Sequence, residues 1–223
     1  MINESLAEFT GALAGDGCLS KYFAKSEKAV RYEVAFTGSI DDFSYYKETL
    51  QPILYQTFGV KGRLFLRGNS TRFHIKNKAV FGFFANLGVP IGVKGKNISI
   101  PAQILNEASL TLAFIRGLWN TDGSIYRRYN KMYAGHSRIY SEYLVMQLKL
   151  NSKLLLVQVK AALSSIGIET TKIAKEKNAF VLRIGRQEAI QKYLKLIGFS
   201  NKHHIKRIGK LRAHGGSAYS ATV

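Results

Sequence analysis

A twelve-residue stretch occurs twice in this chain, and it restricts the fold more than any other feature. Leu6-Ala7-Glu8-Phe9-Thr10-Gly11-Ala12-Leu13-Ala14-Gly15-Asp16-Gly17 returns as Leu112-Ala113-Phe114-Ile115-Arg116-Gly117-Leu118-Trp119-Asn120-Thr121-Asp122-Gly123, with Leu6 matching Leu112, Gly11 matching Gly117 and Asp16 matching Asp122 at a constant offset of 106 residues. Each copy reads as a helix with two faces. Leu6, Phe9 and Leu13, or Leu112, Ile115 and Trp119, form an apolar stripe at helical spacing. Ala7, Gly11 and Gly15, or Ala113, Gly117 and Thr121, form a stripe of small residues that lets two helix backbones approach closely. Glycine inside a helix costs about 1 kcal/mol relative to alanine. Two helices that both keep it are expected to regain that loss by touching there.

The helix ends carry the chemistry. Gly17 and Gly123 stand where a helix C-terminus takes a left-handed residue. The aspartate before each then faces the negative end of a helix dipole and carbonyls without helical partners. That is a poor place for a carboxylate unless a cation joins it. Two such ends held together offer two carboxylates and several carbonyls, hard oxygen ligands of the kind Mg²⁺ takes. One Asp-Gly pair is an ordinary turn dipeptide; two in register at the ends of matched helices are not.

Phe9 to Gly17 and Ile115 to Gly123 resemble the nine-residue LAGLIDADG motif. Two copies about one domain apart look like a single-chain LAGLIDADG homing endonuclease, a resemblance that covers both motifs and, more loosely, the whole chain. It implies an α+β fold: a pseudo-twofold duplicated αββαββα with two antiparallel DNA-binding sheets, divided into residues 1–105 with a linker and residues 106–223 with a basic tail. It also implies a monomer that cuts both strands of a long asymmetric double-stranded DNA site across the minor groove, leaves short 3′ overhangs and uses Mg²⁺ or Mn²⁺. Asp16 and Asp122 become the catalytic and metal-binding carboxylates, with the carbonyls of Gly15 and Thr121 as further ligands. Gly15 departs from the alanine-like residue of the family but stays small. Trp119 is large, but its register with Leu13 puts it on the apolar stripe.

Hydrophobic periodicity supports the duplication. Residues 18–25 and 30–38 read as strands, followed by a helix over 41–58 that Pro52 should kink or divide. Residues 62–68 and 71–76 read as a hairpin with Leu64, Leu66, Phe73 and Ile75 on one face. A helix over 79–87 ends at Gly88, and an irregular connection follows over 89–102. The order repeats with strands over 124–131 and 140–150, a helix over 152–166, strands over 171–177 and 179–184, and a helix over 187–197 ending at Gly198. Leu144, Met146, Leu148 and Leu150 should face inward. The segment from His203 reads as a basic tail, and His203-His204 as a chance doublet.

Charge points to the partner. With 33 Lys+Arg against 14 Asp+Glu, the formal charge is +19, while 46% hydrophobic residues exclude a disordered basic tail. Polyanions are the usual partner of so basic a globular chain. No apolar run suits a membrane span, and the slightly acidic start lacks the character of a signal or transit peptide. One cysteine, Cys18, excludes an intrachain disulfide framework. An intracellular place, a prokaryotic cytoplasm or an organelle matrix, is expected. The five histidines show no paired metal spacing, which disfavours a zinc nuclease.

The outward positions of the sheets supply the DNA-binding candidates. In the first half they are Lys21, Tyr22, Lys25, Arg31, Glu33, Arg63, Arg67, Arg72, His74 and Lys76. In the second they are Arg127, Arg128, Tyr129, Lys131, His136, Arg138, Gln147, Lys149, Lys172, Lys175, Lys177, Arg183 and Arg186. A two-stranded ribbon fits the DNA major groove, where Arg, Lys, Gln and Asn read base edges. Lys94 falls where family members often place a catalytic lysine, and Lys202 is its nearest counterpart after the last helix. Gln147 and Asn151 are weaker catalytic candidates. The alternative function is an intron RNA-binding maturase on the same scaffold, with the protein's own intron RNA as partner. A DNA-binding regulator without activity fits poorly with two retained acids. An intein is set aside, because residue 1 is no Cys, Ser or Thr nucleophile and no His-Asn pair ends the chain.

Overall fold

The computed structural model describes residues 2–131 and 138–213; side chains are described outside 129–142 and 210–213. The order is α1 (Glu4–Gly15), β1 (Gly17–Ala24), β2 (Ala29–Ser39), α2 (Phe43–Tyr45), α3 (Gln51–Phe58), β3 (Arg63–Arg67), β4 (Ser70–Ile75), α4 (Lys78–Asn86) and α5 (Ala102–Leu105). It continues with α6 (Ala108–Asp122), β5 (Gly123–Lys131), β6 (Arg138–Leu150), α7 (Lys153–Ser165), β7 (Ala174–Glu176), β8 (Ala179–Ile184), α8 (Gln187–Leu196) and α9 (Lys202–Ala213). Both sheets are four-stranded and antiparallel, in the equivalent orders β1-β2-β4-β3 and β5-β6-β8-β7. The fold is α+β, and the strand order confirms the duplication read from the repeat.

The two motif helices, α1 and α6, pack along the small stripe. A Cβ added at Gly117 would collide with the Glu8 carbonyl and reach Ala12 N at 2.8 Å; one at Gly11 would collide with the Phe114 carbonyl and reach Leu118 N at 3.0 Å. These obstacles are backbone, so the seam admits no side chain at either place. Leu6, Phe9, Leu13, Leu118 and Trp119 are all at most 2% exposed, and Trp119 packs against Tyr193 with ring centroids 5.2 Å apart. One core cluster runs through both halves.

Gly17 and Gly123 serve a different purpose from the one the helix-end pattern suggests. Neither is left-handed; Gly123 has φ −78° and ψ 151°, so α6 runs directly into β5. Glycine is needed because a Cβ at Gly17 would press on Leu13, and one at Gly123 on Trp119. Left-handed glycines instead close α3, α4, α7 and α8, at Gly59 (φ 65°), Gly88 (φ 98°), Gly167 (φ 70°) and Gly198 (φ 68°).

The helix expected over 41–58 is subdivided upstream of Pro52. It opens with a 3-10 turn at Ile40–Asp42, capped reciprocally by Ser39 and Asp42, and widens to a π turn at Tyr46–Leu50. Proline has no N–H for the helical ladder and crowds the carbonyl four residues earlier; a π turn there absorbs both effects. On the first hairpin Phe73 and Ile75 are buried and Leu64 half-buried, but Leu66, on the edge strand β3, is 49% exposed. In the second half Leu144, Met146, Leu148 and Leu150 all face inward as expected. Strand β7 is only three residues long, leaving Lys172 before it. The basic tail is a helix: α9 buries His204 and Ile208 at 4% and 8% exposure.

Candidate active site

Asp16 and Asp122 lie at the C-termini of α1 and α6, and the seam brings these ends together. A Cβ on Gly15 would press on Thr121 and come within 3.4 Å of Asp122 Oδ2. Burial drives both carboxyls up, Asp16 to about 7. Asp16 is restrained from both sides of the residue. Its carbonyl accepts the Thr37 N–H at 3.2 Å, and Tyr46 donates its hydroxyl to Oδ2 at 2.7 Å. Gly38 leaves room for that pair, because a Cβ there would stand 2.6 Å from Tyr46 Oη and 3.0 Å from Asp16 Oδ2.

The cation demanded by a helix C-terminus is present, and it is Lys94. Its ammonium donates to the carbonyls of Leu13 at 3.4 Å, Ala14 at 2.8 Å and Gly15. The connection over residues 89–101 is pinned to deliver it: Gly92 N–H bonds to the Leu19 carbonyl at 2.7 Å, and Ile91 bridges to Leu19. Burial pulls the Lys94 ammonium down from its usual range, while Asp122 and then Asp16 hold it up. Lys94 therefore sits on the end of α1 within the field of both acids.

Lys202 is not its partner in the second half. That ammonium pairs at 2.5 Å with Glu48, and both side chains are about half exposed. Gly88 and Gly198 are 110 residues apart, and so are Lys94 and His204. His204 Nε2 lies 3.3 Å from the carbonyl of Asn120, the residue that matches Ala14 in the repeat. The register of the closing glycines identifies His204; Lys202 is only the nearest lysine after the last helix. Burial lowers the His204 imidazole to about 4, so it is neutral, packed on Phe199 with ring centroids 5.0 Å apart.

A polar network missed by sequence reasoning lies behind the acids. Glu8, 4% exposed, pairs with Arg116 Nε at 2.7 Å and accepts from Tyr45 and Asn120, each at 3.2 Å. Asn201 donates to Asn120 O at 3.0 Å and to Asp42 Oδ1 at 2.8 Å, tying the segment before α9 to both halves. The hint was Glu8 itself, a charge in the first copy of the repeat where the second has Phe114.

Gln147 lies on β6, opposite the second residue after Asp122. It pairs in register with Ser124, accepts from Tyr126 at 3.2 Å and from Arg183 Nε at 2.9 Å, and so lies on the outer face of the second sheet. Asn151 is exposed just beyond β6. Thr121 turns its hydroxyl back to its own helix, onto the carbonyls of Gly117 and Leu118 at 3.2 and 3.1 Å.

The outer face of the first sheet gathers Tyr22, Arg31, Glu33, Arg63, Arg67, Arg72 and His74. Lys21 falls on the core-side register opposite Tyr32, whose ring its ammonium overlies at 5.7 Å. Lys25 is in the exposed turn, and Lys76 is exposed after β4. The face is not purely basic: Glu33 accepts from His74 Nδ1 at 2.7 Å, and Arg31 pairs with Glu27. In the second sheet Glu176 pairs with Arg183 at 2.5 Å and Lys149 at 3.8 Å, and Arg186 pairs with Glu169 at 2.8 Å. Arg127 shares its register position with buried Leu144, before a bulge that precedes Tyr129. Arg128, Lys172, Lys175 and Lys177 are exposed. Tyr129, Lys131 and Arg138 lie in the strands, with side chains outside the described set, and His136 lies outside the described residues.

Residues 109–198 match the family model described as the LAGLIDADG-like domain. That match runs from α6 to the close of α8. No curated protein matches the chain by sequence. Solved structures extend the likeness to the whole chain. The homing endonuclease I-DmoI, in complex with DNA and Mn, is 22% identical, with a TM-score of 0.62 over 89% of this chain and 99% of that one. Mesophilic variants of I-DmoI give 0.63 at 19% identity, over 87% and 95%. The LAGLIDADG meganuclease I-AabMI, bound to uncleaved DNA, gives 0.59 at 11% identity over 96% and 99%. At these identities the likeness establishes the fold, and both copies of the repeat occupy equivalent places in it, as α1 and α6.

The donor set at the motif-helix ends fits a hard divalent cation. It consists of two half-buried carboxylates and helix-terminal carbonyls that already hold an ammonium, with no sulfur or imidazole among them. Among the described residues no group of three or more His, Cys, Asp or Glu forms a separate metal site.

Proposed function

We propose that this chain is a site-specific endonuclease of double-stranded DNA that depends on Mg²⁺ or Mn²⁺. The observation that carries the reading is the meeting of two half-buried aspartates at the ends of two helices that no side chain separates. The DNA-bound I-DmoI and I-AabMI structures, and those of I-DmoI with Ca and with Mn, agree with it. Asp16 and Asp122 would hold the metal, with the Gly15 and Thr121 carbonyls as further oxygen donors. Bound there, it would stabilise charge on the phosphate and activate a water for attack.

The chain's own residues have separate tasks. Tyr46 fixes the Asp16 carboxylate by its hydrogen bond. Lys94 neutralises the paired acids before a metal arrives, and its long stem lets the ammonium turn toward a phosphate when one does. The outer sheet faces supply the cations that hold the duplex on either side of the acids. The pseudo-twofold relation of the acids suits one cut in each strand across the minor groove, leaving short 3′ overhangs. The seam is satisfied within one chain, so a monomer is expected in gel filtration.

Incubation of a random-target DNA library with protein and Mg²⁺ tests the reading. Double-strand breaks should appear within one family of sequences, and Asp16→Asn and Asp122→Asn should keep binding but lose cutting. Tight binding of one DNA sequence by the wild type without any break would overturn it. Preferential binding of structured RNA over every DNA sequence would favour the maturase alternative.

A further inference from the structure

A shallow cavity of about 540 Å³ opens on the outer face of the first sheet, lined by Tyr22, Glu33, Arg63, Phe65 and His74 among others. These side chains form an ordered tier. Glu33, 8% exposed, anchors His74 through Nδ1 at 2.7 Å. Tyr22 Oη lies 3.5 Å from the other Glu33 oxygen. The Phe65 ring lies over His74, with centroids 5.4 Å apart and planes 31° from parallel, and the Arg63 guanidinium lies over Phe65 at 5.2 Å.

Arg63 differs from the other arginines of this face in how it is held. Arg31 is paired with Glu27, and Arg72 donates to Thr37 at 2.5 Å. Among the described residues Arg63 has no carboxylate partner, and a ring contact spends none of its N–H donors. Arg67 also lies on this face but is not stacked on a ring. A planar fork, oriented in advance with its donors unspent, is what bidentate recognition of guanine O6 and N7 requires.

We propose that Arg63 determines specificity in the first half-site by reading one guanine, with Phe65, His74 and Glu33 as positioning residues that hold its fork. The proposal rests on the DNA-binding reading above. Selection of bound sequences from a random DNA library, in Ca²⁺ to suppress cutting, tests it with wild type, Arg63→Ala, Arg63→Lys and Glu33→Gln. The wild type should enrich a long site with guanine fixed at one position, where any other base costs about tenfold to a hundredfold in affinity. Arg63→Ala and Arg63→Lys should both lose preference at that position alone. Lysine keeps the charge but not the fork, so its failure separates base reading from phosphate attraction. Glu33→Gln should weaken the same preference without shifting the others. A uniform loss of affinity with the guanine preference intact would overturn the proposal and leave the endonuclease reading standing. If the wild type enriches no sequence, the DNA-binding reading falls and the proposal with it. Arg63 is exposed, so unchanged thermal melting of its variants serves as the folding control.

Discussion

Asp16 and Asp122 end matched helices, 106 residues apart, and yet they sit in different surroundings. Asp16 accepts a tyrosine hydroxyl, and its helix gives three carbonyls to the Lys94 ammonium. Asp122 takes no side-chain hydrogen bond among the described residues, and the place that matches Lys94 holds neutral His204 on one carbonyl. Duplication has therefore kept what the backbone requires, the bare seam and the two acids. It has let the groups around each acid diverge. A pair of carboxylates that shares one lysine needs no second, so the other place was open to a residue that serves packing instead.

The largest effect should come where the halves are still alike. Gly11→Ala and Gly117→Ala each push a Cβ onto backbone, and each should cost about 3 kcal/mol in denaturant unfolding. If one glycine tolerates alanine and the other does not, the seam is not symmetric. The next effect should separate the halves. Lys94→Met should lower cleavage by about a hundredfold, as expected for removing a charge aimed at a reacting centre. Lys202→Met, which removes an exposed pair with Glu48, should leave cleavage and melting close to wild type. Equal losses from both lysines would make Lys202 the counterpart of Lys94 after all.

His204 gives a pH-dependent effect. Its imidazole titrates at about 4 when folded and at an ordinary value near 6.5 when unfolded. The unfolded chain then binds the proton more readily between those values. The stability is complete above about pH 6.5 and falls as pH drops toward 4, by about 3 kcal/mol. His204→Gln should remove that part of the acid dependence, read from melts across the window. The smallest effect should come from Tyr46→Phe. The Tyr46 hydroxyl favours ionised Asp16, so its loss should move the carboxyl above about 7 and shift metal binding to higher pH, by a free energy on the order of 1 kcal/mol. An unchanged pH dependence of Mn²⁺ binding by calorimetry would show that Tyr46 does not act on Asp16.

Much of this was legible in the chain because it depends on local periodicity. The repeat located both motif helices, the small stripe located their contact, and alternating residues located the strands and the inward Leu144, Met146, Leu148 and Leu150. What escaped depends on contacts between distant segments. Lys94 was named through the resemblance, but its seat on the α1 carbonyls was not: it reaches them from 79 residues away because Gly92 and Ile91 are pinned to Leu19. Glu8 finds Arg116 and Tyr45 only after the helices pack. His204 was hidden because a basic run reads as a solvated tail, while α9 folds back and buries one face. Gly17 and Gly123 were identified as necessary for the wrong reason: their backbone is ordinary, and Leu13 and Trp119 leave them no room.

The central claim is that both aspartates address a divalent cation at the meeting of the motif helices. Anomalous scattering from a DNA-bound crystal soaked in Mn²⁺ measures this directly. The account predicts Mn²⁺ density in contact with carboxylate oxygens of Asp16 and Asp122, with the Lys94 ammonium moved off the Gly15 carbonyl. Density found only elsewhere, with Lys94 still on α1, would contradict it.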